Sequence, residues 1–311
     1  MSSTFLLGVD DSSRTWEAVE QVGGLFLKSR THFHLLHALP ESTLPASPPT
    51  SIESSDWEKI QQQRAQRVLE RAVGSLLQMG YKRSRLAVES KLHSINTVQD
   101  ILDSGKKIGV SAIVLARKQR SKMKRLLEDT TIPKLYQDAE SLPVWAIGNM
   151  ALEPPHILAA MDESKYADRI AEHLAYTVGA VRQVRITLLN IIPAKPPAYW
   201  DDGHILDKSE RGERKTVVKQ WRWNYEEIIG GVFARARGVL TRAGVAEERI
   251  TTRLQTRVRG IARDILVEAS RGGYNILALG RRGAGMSQYN LGSRASKILR
   301  SAPGCTLILV N

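Results

Sequence analysis

The 311-residue chain holds a single cysteine, Cys305, so no disulfide can close within it. That scarcity fits a reducing compartment. No uncharged apolar run approaches the ~20 residues that a membrane-spanning helix needs. The start, MSSTFLLGVDDSSRTWEAVEQV, lacks a basic flank followed by an apolar stretch of signal-peptide length. We therefore expect a cytoplasmic protein with no membrane partner. Aromatic residues are sparse at 6%, charged residues stand at 25%, and the hydrophobic share of 42% suffices for real cores, which is the balance of a globular chain. Catalytic signatures are lacking too: there is no Walker A sequence, no H-E-x-x-H pair and no nucleophile elbow. In HFHLLH, strand geometry puts His32 and His34 on one face and His37 on the other, with no Cys or Glu partner evident within the run, which argues against a metal centre.

What is present in excess is positive charge, +13 at neutral pH. A basic chain can meet phosphates or nucleic acid, but Lys and Arg are dispersed along most of the sequence. The length suggests two domains, and a repeat supports this. FLLGVDDSSRTWEAVEQV from Phe5 and ILAAMDESKYADRIAEHL from Ile157 share a short apolar strand, an acidic residue, a serine and an amphipathic helix, with Asp10 and Asp162 152 residues apart. HFHLLHALP and RITLLNIIP follow as second strands, each closed by proline. After loose segments, long helices carry apolar faces at Ile60, Val68, Leu69, Ala72 and Leu76, and at Tyr225, Ile229, Val232, Ala236 and Leu240. RLAVES and RITTRL are third strands, with helices near Ile95 to Lys107 and Val258 to Ala269. SAIVLA and NILALG are fourth strands, and VWAIG and TLILV are fifth. The alternation predicts an α/β protein of two tandem doubly wound domains, each a mostly parallel five-stranded sheet with helices on both faces. GNMALEPP, at 148–155, joins them.

In such sheets ligands bind beyond the carboxyl ends of the strands. In the second half, the first strand ends at Met161-Asp162 and the fourth at Gly280, followed by Arg281, Arg282, Gly283 and then Gly292-Ser293 before the last helix. Bare backbone and a helix N-terminus favour phosphate oxygens. Ser293 can donate to a phosphate or cap the helix, and Asp162 can accept hydrogen bonds from a ribose or base. The bland alternative is that the glycines merely end a strand and shape a turn.

The repeat, the GVDDS and AMDES starts, and G-x2-G…G-S before the last helix resemble the universal stress protein family across both halves. The resemblance implies a degenerate domain over 1–149 and, over 154–311, a domain that binds ATP or a related adenine nucleotide, with or without Mg2+. It implies that Gly280, Gly283, Gly292 and Ser293 bind phosphates and ribose and that Asp162, beside Ala160 and Met161, contacts the nucleoside. Ile191 would flank adenine, with Leu279, Arg282 and Arg294 at neighbouring positions. The family's loop is G-x2-G-x9-G-[ST], whereas eight residues separate Gly283 from Gly292 here. The family has no generally agreed reaction, so the resemblance implies binding and stress-linked regulation of protein partners more firmly than ATP hydrolysis. It further implies that the fifth strands pair the two halves within the chain, and that two chains can dimerise.

In the first half, 163 residues upstream, Arg117, Arg120, Asp129 and Thr130 stand where the second half has Gly280, Gly283, Gly292 and Ser293. These side chains are expected to fill the phosphate space, and Asp129 to repel phosphate. RKQRSKMKR, at 117–125, has six basic residues in nine and reads as a solvated loop or an anion contact. Two other functions remain open: a ligand-free stress-response scaffold, or a basic regulator associated with nucleic acid. Trp57, Trp221 and Trp223 are expected to pack or anchor the long helices, and Cys305 to serve as a small buried hydrophobe.

Overall fold

A computed structural model describes residues 2–26, 28–40, 54–117, 131–139, 141–148, 154–194, 196, 208–282, 292–302 and 304–311. The first half runs β1 (Ser3–Gly8), α1 (Ser13–Leu25), β2 (Thr31–Pro40), α2 (Ser54–Gln78), β3 (Leu86–Ser94), α3 (Thr97–Ile108), β4 (Ala112–Ala116), α4 (Thr131–Asp138) and β5 (Val144–Ile147). The second half repeats the order as β6 (His156–Ala160), α5 (Lys165–Val178), β7 (Arg185–Ile192), α6 (Lys208–Arg242), β8 (Ile250–Thr256), α7 (Ile261–Arg271), β9 (Ile276–Gly280), α8 (Ser293–Ser301) and β10 (Thr306–Val310).

All ten strands join one sheet, ordered β3-β2-β1-β4-β5-β10-β9-β6-β7-β8. Pairing is parallel within each half and antiparallel only where β5 meets β10, with Trp145 opposite Ile308. The strands beside that seam, such as VWAI and TLILV, are buried on both faces, as their unbroken apolar composition requires. The outermost strands, β3 and β8, are mostly exposed or half-buried. Each half-sheet would otherwise offer an apolar edge at its fifth strand, and each half covers the other's.

Two apolar layers, one on each face, run across both halves. One gathers Phe5, Phe33 and Trp145 with Ile157, Leu174 and Ile308. The other gathers Leu6, Ile113 and Tyr136 with Leu158, Ile298 and Leu307. Trp145 is fully buried at the seam, and its indole N–H donates to Nε2 of His173 on α5 at 2.8 Å.

Local signals set the helix starts. Ser12 and Ser164 cap α1 and α5, accepting from the N–H of Thr15 and of Tyr166. Asn96 caps α3, so that helix begins at Thr97 and leaves Ile95 exposed rather than inside the predicted helix. Similarly, α7 begins at Ile261, because the Asp264 carboxylate holds the N–H groups of Val258, Arg259 and Gly260 in a turn. Of the predicted faces on the long helices, Ile60 is 40% exposed and lies off the core, while Val68, Leu69, Ala72, Leu76 and all five residues of α6 are buried.

Candidate functional site

A cleft of about 250 Å³ opens at the carboxyl ends of β6, β7 and β9. β6 pairs in parallel with both β7 and β9, so the loops after all three leave the same end of the sheet, which is why segments over 100 residues apart meet there. Ten of the sequence-derived candidates line it: Ala160, Met161, Asp162, Ile191, Leu279, Gly280, Arg282, Gly292, Ser293 and Arg294. Gly283, and the Gly283–Gly292 spacing with it, lies outside the described residues.

The lining of the cleft is partly apolar, with Ile191, Leu279, Ile261 and Ile265, and the start of α8 lines it as well. The N-cap of α8 is Gly292, and among the described residues no side chain caps the helix. Ser293 is thus the first helical residue rather than the cap, and both Ser293 and Arg294 are exposed. The first backbone N–H groups of an uncapped helix carry partial positive charge and need acceptors. Gly292 donates its own N–H to the carbonyl of Arg281 at 3.0 Å, tying the helix start to the end of β9. Arg282 adds a guanidinium, with Nη1 donating to the Tyr166 hydroxyl at 3.3 Å.

Asp162 has a local duty: one carboxylate oxygen accepts from the Ser164 N–H at 3.0 Å and from the Ser164 hydroxyl, which builds the turn into α5. Asp10 does the same with Ser12 in the first half. Gly280 also has a packing reason. A Cβ there would stand 2.6 Å from Cβ of Tyr166, closer than real Cβ contacts come. Gly280→Ala is therefore expected to cost about 1–3 kcal/mol by overpacking, read as a lower midpoint in denaturant. A neutral result would leave ligand approach as the reason for this glycine.

Sequence reasoning missed two residues of the cleft floor. Asn190, 2% exposed in the apolar run of β7, donates Nδ2 to the Met161 carbonyl at 2.9 Å and to the Tyr225 hydroxyl at 3.2 Å. Its Oδ1 is buried with no hydrogen-bond partner among the described residues. The signal was there, an amide inside LLNII. Tyr225, assigned to the core face of α6, also lines the cleft and donates its hydroxyl to Glu163 at 3.1 Å. Burial pushes that hydroxyl's pKa up, and Glu163 adds to the shift while the bond from Asn190 opposes it, so it remains a donor at neutral pH.

The first half corrects one expectation. A cleft of about 470 Å³ lies at the matching place, lined by Asp10, His37, Trp57, Gln61, Leu115 and Thr131 among others. Arg117 does not fill it. Its guanidinium turns to the second half and donates to the carbonyls of Leu299, Ala302 and Cys305 at 3.2–3.3 Å. The reason is tertiary: the pairing of β5 with β10 brings the unsatisfied carbonyls at the end of α8 beside Arg117, and a guanidinium fork suits them. Arg120, Asp129, Thr130 and the rest of the basic segment after Arg117 lie outside the described residues.

The histidines do not converge. His37 bonds to the Val9 carbonyl through Nδ1, at 2.8 Å, and His32 lies beside Arg85. His34 meets Glu89 at 2.8 Å, a partner that the neighbouring strand β3 supplies and that sequence proximity could not reveal. Among the described residues no three metal-ligating side chains gather, and no helix is long and apolar enough to cross a membrane. Trp57 lines the first cleft, and Trp223 is 56% exposed rather than packed. Cys305 is buried, and burial raises its thiol pKa.

Comparison with known proteins agrees with this architecture. The model of the universal stress protein family matches residues 1–144 and again 154–310. A universal stress protein from Archaeoglobus fulgidus DSM 4304 superposes with a TM-score of 0.63 at 18% identity, covering 100% of this chain and 99% of that one. A functionally unknown protein from Pseudomonas aeruginosa PAO1 gives 0.58 at 14% identity, covering 99% and 92%. At these identities the likeness shows the fold alone. No curated protein sequence matches the chain. The two family matches, which together span most of the sequence, show that this chain belongs to the universal stress protein family, with two copies of the domain in tandem.

Proposed function

We propose that the second half binds an adenine nucleotide, ATP or a close relative, and that occupancy regulates the binding of protein partners during stress. The observation that carries this reading is that one cleft is lined both by apolar side chains and by the start of α8, where no side chain caps the helix among the described residues. The apolar side chains Ile191 and Leu279 suit a base, with Asn190, whose Oδ1 has no partner among the described residues, in the same lining. The helix start, with Gly280, Gly292, Ser293, Arg282 and Arg294 around it, suits phosphates. Gly283 adds bare backbone to the same loop in sequence. Asp162 and Glu163 lie on the cleft wall, where ribose hydroxyls can donate to carboxylates.

The side chains fit the nucleotide better than they fit a resident metal. With no cluster of metal ligands among the described residues, Mg2+ would arrive on the phosphates, which supply its preferred oxygen ligands. No group in the cleft stands out as a general base for water, so we read a binding module rather than an efficient ATPase. The cellular setting we propose is cytoplasmic.

Calorimetric titration of the whole chain with ATP tests this. The expected result is one nucleotide per chain, because the first half has Asp129 where the second has Gly292, a negative charge just before α4 in sequence. Gly292→Val, whose Cβ would stand 3.2 Å from the Arg281 carbonyl oxygen, should weaken binding at least tenfold, about 1.4 kcal/mol or more. No heat at millimolar ATP would leave a ligand-free scaffold as the better reading. Two sites would place a nucleotide in the first cleft as well.

A further inference from the structure

We propose that Arg117, a residue of the first half, is a positioning residue for the phosphate end of the cleft in the second half. The inference rests on the nucleotide reading above and names a control on that site. It acts through α8. This helix has nine residues and, among the described residues, no side-chain cap at its start. A helix so short is marginal by itself, so the direction in which its first N–H groups point depends on how its far end is held. That far end is held from the other half of the molecule. Arg117 Nη2 donates to the carbonyls of Leu299 and Ala302, both at 3.2 Å, and Nη1 to that of Cys305 at 3.3 Å. The backbone N–H of Arg117, just past β4, is itself fixed to the Ile147 carbonyl at 2.8 Å, so the residue is tied to the end of the seam strand β5.

A second contact supports the same reading from the opposite direction. Arg281, between the candidate residues Gly280 and Arg282, is 2% exposed. Its Nη1 donates to the carbonyl of Ala139 at 2.8 Å, and its Nη2 to that of Gln137. Ala139 lies 163 residues before Ala302, so the two arginines reach matching points after the short helices of opposite halves. The backbone carbonyl of Arg281 also receives the N–H of Gly292, at the start of α8. One end of α8 is thus held by a first-half arginine, and the other by Arg281, which is itself fastened to the first half. Phosphate grip and the seam between halves form one mechanical unit, and a partner that disturbs the seam would loosen the nucleotide.

A merely structural Arg117 would affect every ligand and the stability of the chain alike. A positioning role affects phosphates selectively. The test compares ATP and adenosine binding to the full chain, with Arg117→Ala and Arg117→Lys beside the wild type. Both variants are expected to lose about tenfold in ATP affinity, a size common for coupling between sites. Adenosine affinity should change less than twofold. Arg117→Lys keeps the charge without the fork, and carries the test should Arg117→Ala not fold. If wild type binds ATP and the folded variants bind it equally well, the positioning role is wrong while the nucleotide reading stands. An equal loss for ATP and adenosine also overturns it, since that marks a general loss of packing. If wild type binds no ATP, the nucleotide reading itself fails.

Discussion

Between pH 6.5 and pH 4 the folded protein is expected to lose about 3 kcal/mol of stability through one side chain, His173. Burial lowers its pKa from 6.5 to about 4. The ring is neutral at pH 7, and its Nε2 accepts the indole N–H of Trp145, across the seam between halves. A histidine in the unfolded chain takes up a proton near pH 6.5, whereas the buried one resists until about pH 4. In that window the unfolded state binds more protons, so stability falls as pH falls. Below about pH 4 both states are protonated and the loss from this group levels off. Protonation also turns Nε2 into a donor facing another donor. Urea unfolding at steps from pH 7.5 to pH 4 measures the effect against His173→Gln, which keeps an acceptor but does not titrate. The two stability curves should converge toward acid. Parallel curves would mean that His173 titrates alike in the folded and the unfolded chain.

Trp145→Ala is expected to cost about 3–5 kcal/mol, the range for emptying a large aromatic site in a core. Trp145 is fully buried on β5, directly beside the only antiparallel pairing among the described strands. Its ring contacts Phe26 at 5.5 Å and Phe5 at 6.2 Å between centroids, and His173 at 5.9 Å. Truncation leaves a cavity in the layer shared by both halves and removes the donor from His173. Trp145→Phe should cost less, since it refills part of the volume and loses chiefly the hydrogen bond. Chemical denaturation reads both, with an unchanged denaturant slope showing that the halves still unfold together. A loss below about 1 kcal/mol for the alanine variant would mean that the seam collapses onto the gap without resistance.

Both effects belong to a contact that sequence reading did not anticipate. The fifth strands were legible as partners, because two unbroken apolar strands at the ends of matching repeats demand cover. That Trp145 would meet His173 was not legible, since the residues sit in different repeats and neither breaks its local pattern. Arg117 teaches the same lesson more sharply. Alignment put it where a phosphate would approach, and its bulk suggested a plug. Its long side chain instead follows the carbonyls that the neighbouring half leaves open. Asn190 carried a local signal, a polar amide in an apolar strand, but its partners Met161 and Tyr225 come from elements that approach only in the folded chain.

The amino-acid sequence by itself determined the repeat, the alternation of strands and helices, the acidic residue after β6 and the glycine that ends β9. All of these are written in short-range periodicity, capping residues and residue size. Only the tertiary structure decided which half an arginine serves, what holds the far end of α8 and which buried ring sets the acid limit of stability. Long side chains reach wherever unsatisfied groups lie, and those groups are brought within reach by strand pairing between residues more than 100 positions apart.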